Sequence, residues 1–118
     1  MRVVDVIGGG PDGALIARAK IARNVWSRFW GLMLRGSLPE GEGLIIDPCY
    51  SVHTLFMRFP IDVVFLDREN RVLKVAENLR PFRASIGRGA RKVLELQAGA
   101  ARRAGVRVGD VMTIGEDV

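Results

Sequence analysis

One cysteine, one histidine and three lysines occur in the 118 residues of this chain, and there is no long uncharged apolar run. Each scarcity removes a class of protein. A single cysteine, Cys49, cannot close an internal disulfide, so it stands as a thiol or a ligand, in keeping with a reducing compartment. A membrane-spanning helix needs roughly 20 consecutive apolar residues, and no stretch approaches that length. The opening MRVVDVIGGG sets Asp5 inside what would be the apolar centre of an export signal and follows it with turn residues. No export signal is read there, and the expected location is cytoplasmic. Paired-cysteine zinc motifs, a nucleophile elbow and a phosphate loop are also missing, so no motif names a reaction, and neither a metal nor a cofactor is expected.

The length suits one domain, here residues 1–118, with enough chain to bury a core. The formal charge is +5, and lysine contributes only Lys20, Lys74 and Lys92; the other cations are arginines. They concentrate between Arg80 and Arg107, where Arg80, Arg83, Arg88, Arg91, Lys92, Arg102, Arg103 and Arg107 face a single acid, Glu95. Such a segment attracts anions. Its plain reading is a solvated face; its sharper reading is a nucleic-acid surface. The sharper one is weakened because Phe82 is the only aromatic residue among these arginines, and single-strand binders combine a basic groove with stacking rings.

The chain is organised around CYSVHTLFMRFPIDVVFLD, Cys49 to Asp67, which holds the cysteine, the histidine and the densest run of strand formers. Before it, Arg2 to Ile7 reads as a strand, GGGPDG as a turn, and ALIARAKIARN alternates as the second strand of a hairpin. Val25, Phe29, Leu32 and Met33, with Trp26 and Trp30, recur at helical spacing between Asn24 and Gly36, which predicts a short amphipathic helix. A loop, SLPEGEG, leads to the apolar strand GLIID. If Cys49 to Phe59 is extended, Ser51, His53 and Met57 share one face and Val52, Thr54 and Arg58 the other. Pro60 resets the phase, and Ile61 to Leu66 and Val72 to Leu79 form a second hairpin around the turn DREN. Arg80 to Arg91 lacks periodicity and reads as one long exposed loop. Lys92 to Leu96 is a strand in which Glu95 points away from the side taken by Leu94 and Leu96. AGAARRAGV gives a turn or two of helix, and a glycine turn with Asp110 enters the last strand. The sum is a mainly β protein: an antiparallel β-sandwich or partly open barrel of about seven or eight short strands with two short helices.

Five stretches, SRFWGLMLRGSL, GLIIDPC, VHTLFMRFPIDVVFLD, VLELQAG and GVRVGD, taken in order, resemble the DUF192 (UPF0127) family of uncharacterised prokaryotic proteins over positions 14 to 114. Met57, Pro60, Ile61, Asp62, Glu95, Gly99, Gly109 and Asp110 match that family's pattern. HTLFMRF departs from it, since other members often carry Trp-Met-Lys-Asn-Thr there. The resemblance implies a small, mainly β fold and no established activity.

Three residues of the central stretch draw the functional reading. His53 brings the one imidazole, a side-chain type that serves acid–base chemistry and ligates metals, although an imidazole sharing a face with Leu55 and Phe59 also fits as a hydrogen-bonded core residue. Cys49 lies about 13 Å from it along an extended strand, too far for a thiolate-imidazole pair without a bulge, and the same distance weakens a soft-metal site. Asp62, set between Ile61 and Val63, needs a partner if buried, for which Arg28 and Arg58 are candidates. The reading that follows is non-catalytic binding of a small molecule or peptide, possibly anionic, in a cleft formed by His53, Met57 and Asp62. Arg58, Arg83 and Arg88 would serve as its cationic contacts. Two alternatives stand beside it: a hydrolase or transferase with His53 or Asp62 as general base on an anionic substrate, and nucleic-acid binding through segment 80–107.

Overall fold

The computed structural model describes residues 2–8, 15–22, 38–54 and 57–116. Within them run nine strands, β1 (Arg2–Ile7), β2 (Leu15–Ala22), β3 (Glu42–Ile46), β4 (Ser51–His53), β5 (Ile61–Leu66), β6 (Val72–Leu79), β7 (Ala84–Ile86), β8 (Lys92–Gln97) and β9 (Thr113–Glu116), and one helix, α1 (Ala100–Arg103). The helix expected between Asn24 and Gly36 lies outside the described residues. So do Arg28, Leu55 and Phe56. No helix among the described residues is long and apolar enough to cross a membrane.

Both expected hairpins form. β1 and β2 pair antiparallel with Val4 opposite Ala19 and Val6 opposite Ala17, all four buried. Between β5 and β6, the Asp67 carboxylate accepts bonds from the Glu69 and Arg71 amides at 2.9 and 2.8 Å, and Asn70 takes a positive φ of 66°. Asparagine tolerates that conformation, which makes DREN a turn by chemistry and not merely by polarity. The seven long strands make one sheet in the order β6-β5-β8-β3-β2-β1-β9, antiparallel except for β2 beside β3. The sheet curls until its two ends meet. There the Val72 amide donates to the Asp110 carbonyl at 2.7 Å, and the Gly109 and Met112 amides donate back to Val72 and Asn70. Asp110 holds this corner, as its sequence position suggested, by accepting from the Arg107 amide at 2.9 Å. The result is a partly open barrel.

Strand alternation gives this sheet two apolar faces. One carries Val4, Val6, Ile45, Val64, Leu66, Leu94, Leu96 and Met112, and Ala101 of α1 packs into it. The other carries Leu44, Ile46, Ile61, Val63, Phe65 and Val93, with Val52 of β4 against them. Glu95 is 1% exposed and stands opposite Leu44 and Val63 on this second face, the side away from Leu94 and Leu96 that its strand position indicated.

Segment 80–91 is not a single loose loop. Residues 84–86 form β7, which pairs with β4 as a separate two-stranded sheet, Ser51 opposite Ile86 and His53 opposite Ala84. Three residues are too few to show a period, so only the pairing partner reveals the strand. This small sheet lies on the second face of the large one. Val52 and Ser85 point inward, and Gly87 passes so close to Phe65 that a Cβ there would stand 2.4 Å from the ring. From the side, the Lys74 ammonium lies 5.7 Å from the Phe65 ring centroid and donates to the Ile86 carbonyl at 3.0 Å.

Candidate functional site

The structure does not unite His53, Met57 and Asp62. Asp62 occupies an even position of β5, on the face shared with Val64, Leu66 and α1, whereas Met57 packs against the apolar cluster of the opposite face. Asp62 is fully buried. Its Oδ1 accepts from the Asn78 amide at 2.8 Å, and its Oδ2 accepts from the Gly99 and Ala101 amides, each at 3.0 Å. The partner expected from Arg28 or Arg58 is thus supplied by main chain. The carboxylate fixes the first turn of α1 to β5 and satisfies amides that a helix start leaves open. Gly99, at φ 90°, is the residue that lets the chain turn into this cradle. Enclosed in this way, Asp62 lacks the access that a general base requires.

His53 corrects a second expectation. It is exposed, because β4 ends there and its odd residues face outward while Val52 and Thr54 turn in. The phase then changes: the Met57 amide donates to the Thr54 carbonyl at 3.2 Å, closing a turn that returns Met57 and Phe59 to the core. The Cys49 thiol donates to the Ser51 carbonyl at 3.1 Å, and its side chain packs partly against the same core. Among the described residues no three His, Cys, Asp or Glu side chains gather in a way that could hold a metal ion.

What the fold does assemble is the outer surface of the β4–β7 sheet. Ser51, His53, Ala84, Ile86 and Arg88 are exposed and alternate with the buried Val52, Ser85 and Gly87. Tyr50 and Phe82, 63% and 70% exposed, stand at its two ends. The two segments that build it, 48–60 and 80–91, contain Arg58, Arg80, Arg83, Arg88 and Arg91 and no acidic residue. Arg91 pairs with Asp47 at 2.9 Å, but Arg58, Arg80 and Arg88 make no ion pair with any described residue. Beside the sheet, a groove of about 370 Å³ is lined by Pro48, Cys49, Tyr50, Ser51, Ala90 and Arg91.

Thr54 holds this surface in shape. It is 1% exposed, and its hydroxyl donates to the Arg80 carbonyl at 2.5 Å and accepts from the Arg83 amide at 3.0 Å. Its own amide donates to the Arg83 carbonyl, and its carbonyl accepts from the Phe82 amide. Sequence reasoning passed over Thr54 and Tyr50. The available signal was the complete lack of acids in both 48–60 and 80–91, which matters only once the two are known to be neighbours.

The basic block 80–107 is in turn divided. Its second half leaves this surface: Lys92 bonds Asn70 at 2.6 Å, Arg102 pairs with Glu77 at 3.2 Å, and Arg103 bonds Gln97 at 2.8 Å.

A small curled β-barrel with a second, two-stranded layer defines the class. The model of the DUF192 family, described as uncharacterized ACR, matches residues 10–114, and the chain belongs to that family. It is 36% identical over 100 residues to a UPF0127 protein of Pyrococcus abyssi, covering 79% of this chain and 82% of the relative. A UPF0127 protein of Thermococcus sibiricus is 32% identical over 98 residues, and there the match spans 79% of this chain and 63% of the relative. Among solved structures, a protein of unknown function from Novosphingobium aromaticivorans superposes with a TM-score of 0.81 at 28% identity, covering 94% of this chain and 84% of that one. A putative transcription regulator from Sinorhizobium meliloti gives 0.83 at 23% identity, over 95% and 93%, a likeness that shows the fold alone.

Proposed function

We propose that this protein is a non-catalytic binding domain for an anionic small molecule or peptide, taken on the outer surface of β4 and β7 and in the adjoining groove. The observation that carries this reading is the lack of any acid in 48–60 and 80–91 beside arginines that have no counter-charge within the described molecule. Arginines with no ion pair among the described residues, set near exposed tyrosine, phenylalanine and isoleucine side chains, supply both the charge and the apolar contact of a recognition surface. Arg58, Arg83, Arg88 and His53 belong to it. Met57 contributes from beneath, as support for the turn after β4, and Asp62 lies outside this surface, on the face with α1.

Isothermal titration with oligoglutamate and with inorganic polyphosphate, at about 50 and 200 mM salt, tests this reading. Binding at the lower salt that weakens at the higher, and that is reduced by R83A/R88A, is the expected result. No heat from either polyanion at low salt would remove the proposal.

A further inference from the structure

Resting on the anion-binding part of that reading alone, we infer that the anion recognised by the β4–β7 surface is single-stranded nucleic acid, its phosphates held by Arg58, Arg80, Arg83 and Arg88 and its bases stacked on Tyr50, His53 and Phe82. The sequence argued against nucleic acid because Phe82 was the one ring among the arginines of 80–107. The fold removes that objection. It lays β4 against β7, so Tyr50 and His53 from one segment join Phe82 from the other.

By register the order along the pair is Arg88, Tyr50, His53, Arg83, Phe82; Arg88 and His53 rise from the outer face, while Tyr50 and Arg83, in phase with the inward Val52 and Ser85, are exposed where the strands end. Gly87 donates to the Tyr50 carbonyl and is followed by Arg88, Ala84 stands opposite His53, and the Phe82 amide donates to the Thr54 carbonyl. Cations and flat rings therefore succeed one another around this small sheet. The four residue steps from Tyr50 to the level of Thr54 give it a length of roughly 13 Å. A polynucleotide strand repeats the complementary pair, one phosphate and one π-face per residue. An acidic peptide matches the charges but offers no π-face to three rings, and a duplex keeps its base faces inside the stack.

Phe82 adds an independent observation. Its φ is +62°, a strained conformation that bulky side chains rarely adopt and that persists only where the surroundings enforce it. Here the surroundings do enforce it: Thr54 bonds the chain at Arg80, Phe82 and Arg83. Its side chain is nevertheless 70% exposed and so gains little from the core. A strained backbone that holds an aromatic ring out into water, between two arginines, suits a stacking platform.

Fluorescence anisotropy with a labelled oligothymidylate of about 12 nucleotides tests the inference, since single-strand binding sites of this kind cover about 4–16. Four phosphate contacts predict a log-log dependence of affinity on salt with a slope of roughly −3, at about 0.7 per contact on single strands. R83A/R88A should bring that slope to about −1.4. F82L, which keeps apolar bulk and loses the ring, should weaken binding about tenfold at unchanged slope. Both variants alter exposed side chains, and matched circular-dichroism melts establish that they fold. Equal or tighter binding of the corresponding duplex would overturn the inference, as would a slope that neither arginine moves. Oligoglutamate binding without oligothymidylate binding would overturn it while leaving the anion-binding reading in place; if neither binds, both fall.

Discussion

The two faces of the large sheet handle polar groups in opposite ways. On the face with α1, Asp62 is enclosed and each of its oxygens is bonded, while nearby Arg102 pairs with Glu77 and Arg103 hydrogen-bonds the neutral Gln97. On the face with β4 and β7, four arginines, Arg58, Arg80, Arg83 and Arg88, stand without a counter-charge among the described residues and two aromatic side chains lie in water. The first arrangement is what stability favours, because a buried carboxylate is tolerated only when satisfied. The second contributes nothing to folding, since exposed like charges repel and exposed rings forgo burial. Buried Asp62 and Thr54 are bonded within the fold, while exposed arginines beside β4 and β7 have no ion pair among the described residues, which separates support from recognition.

The largest expected effect breaks the support side. Asp62→Ala leaves three main-chain amides without their acceptor in a buried setting, a loss of about 4 kcal/mol or more. Thermal unfolding should show a drop of roughly 15 °C, with anion binding per folded molecule retained. A drop of only a degree or two would mean that water or a shifted α1 replaces the carboxylate.

Gly87→Ala acts where the two layers touch. A Cβ would meet the Phe65 ring at 2.4 Å, so either the ring or the small sheet must move, at about 1–3 kcal/mol. Stability and binding should fall together. Next comes Thr54→Val, which removes a hydroxyl that bonds Arg80 and Arg83 and costs about 1–2 kcal/mol. Amide hydrogen exchange at Phe82 and Arg83 should accelerate while that of β5 and β8 does not. Uniform acceleration would show that the 80–83 turn is part of the global unfolding unit and not a separately held platform.

The smallest effects sharpen the contrast most. Arg102 and Arg88 come from one basic block of the sequence. R102A removes an exposed pair with Glu77 and should change stability by less than about 0.5 kcal/mol and binding not at all. R88A should leave stability alone and weaken polyanion binding severalfold at low salt. Equal effects of the two on binding would mean that net charge matters and the β4–β7 surface does not.

Much of the frame was legible in the residues. DREN, the Gly109-Asp110 corner, both hairpins and the side taken by Glu95 follow from local turn chemistry and period-two alternation, which act within a few residues of each other. The β4–β7 layer was not legible. β7 is three residues long, so alternation had no span over which to appear, and its partner lies about thirty residues earlier. His53 was open to a core reading because an unbroken strand would have aligned it with Leu55 and Phe59. The turn at Thr54 and Met57 ended that strand early.

The sequence by itself determined the class of protein. A mainly β chain without a disulfide framework or a catalytic motif, bearing an arginine-rich second half and the ordered motifs of its family, follows from composition, turn residues and alternation. Only the tertiary structure decided which arginines have an ion pair among the described residues, that Asp62 is bonded by backbone, and that β4, next to Tyr50, lies against β7, near Phe82. Those outcomes depend on which distant segments come within a few ångströms of one another. Charge pairing and ring proximity are functions of distance in space, and position along the chain does not fix that distance.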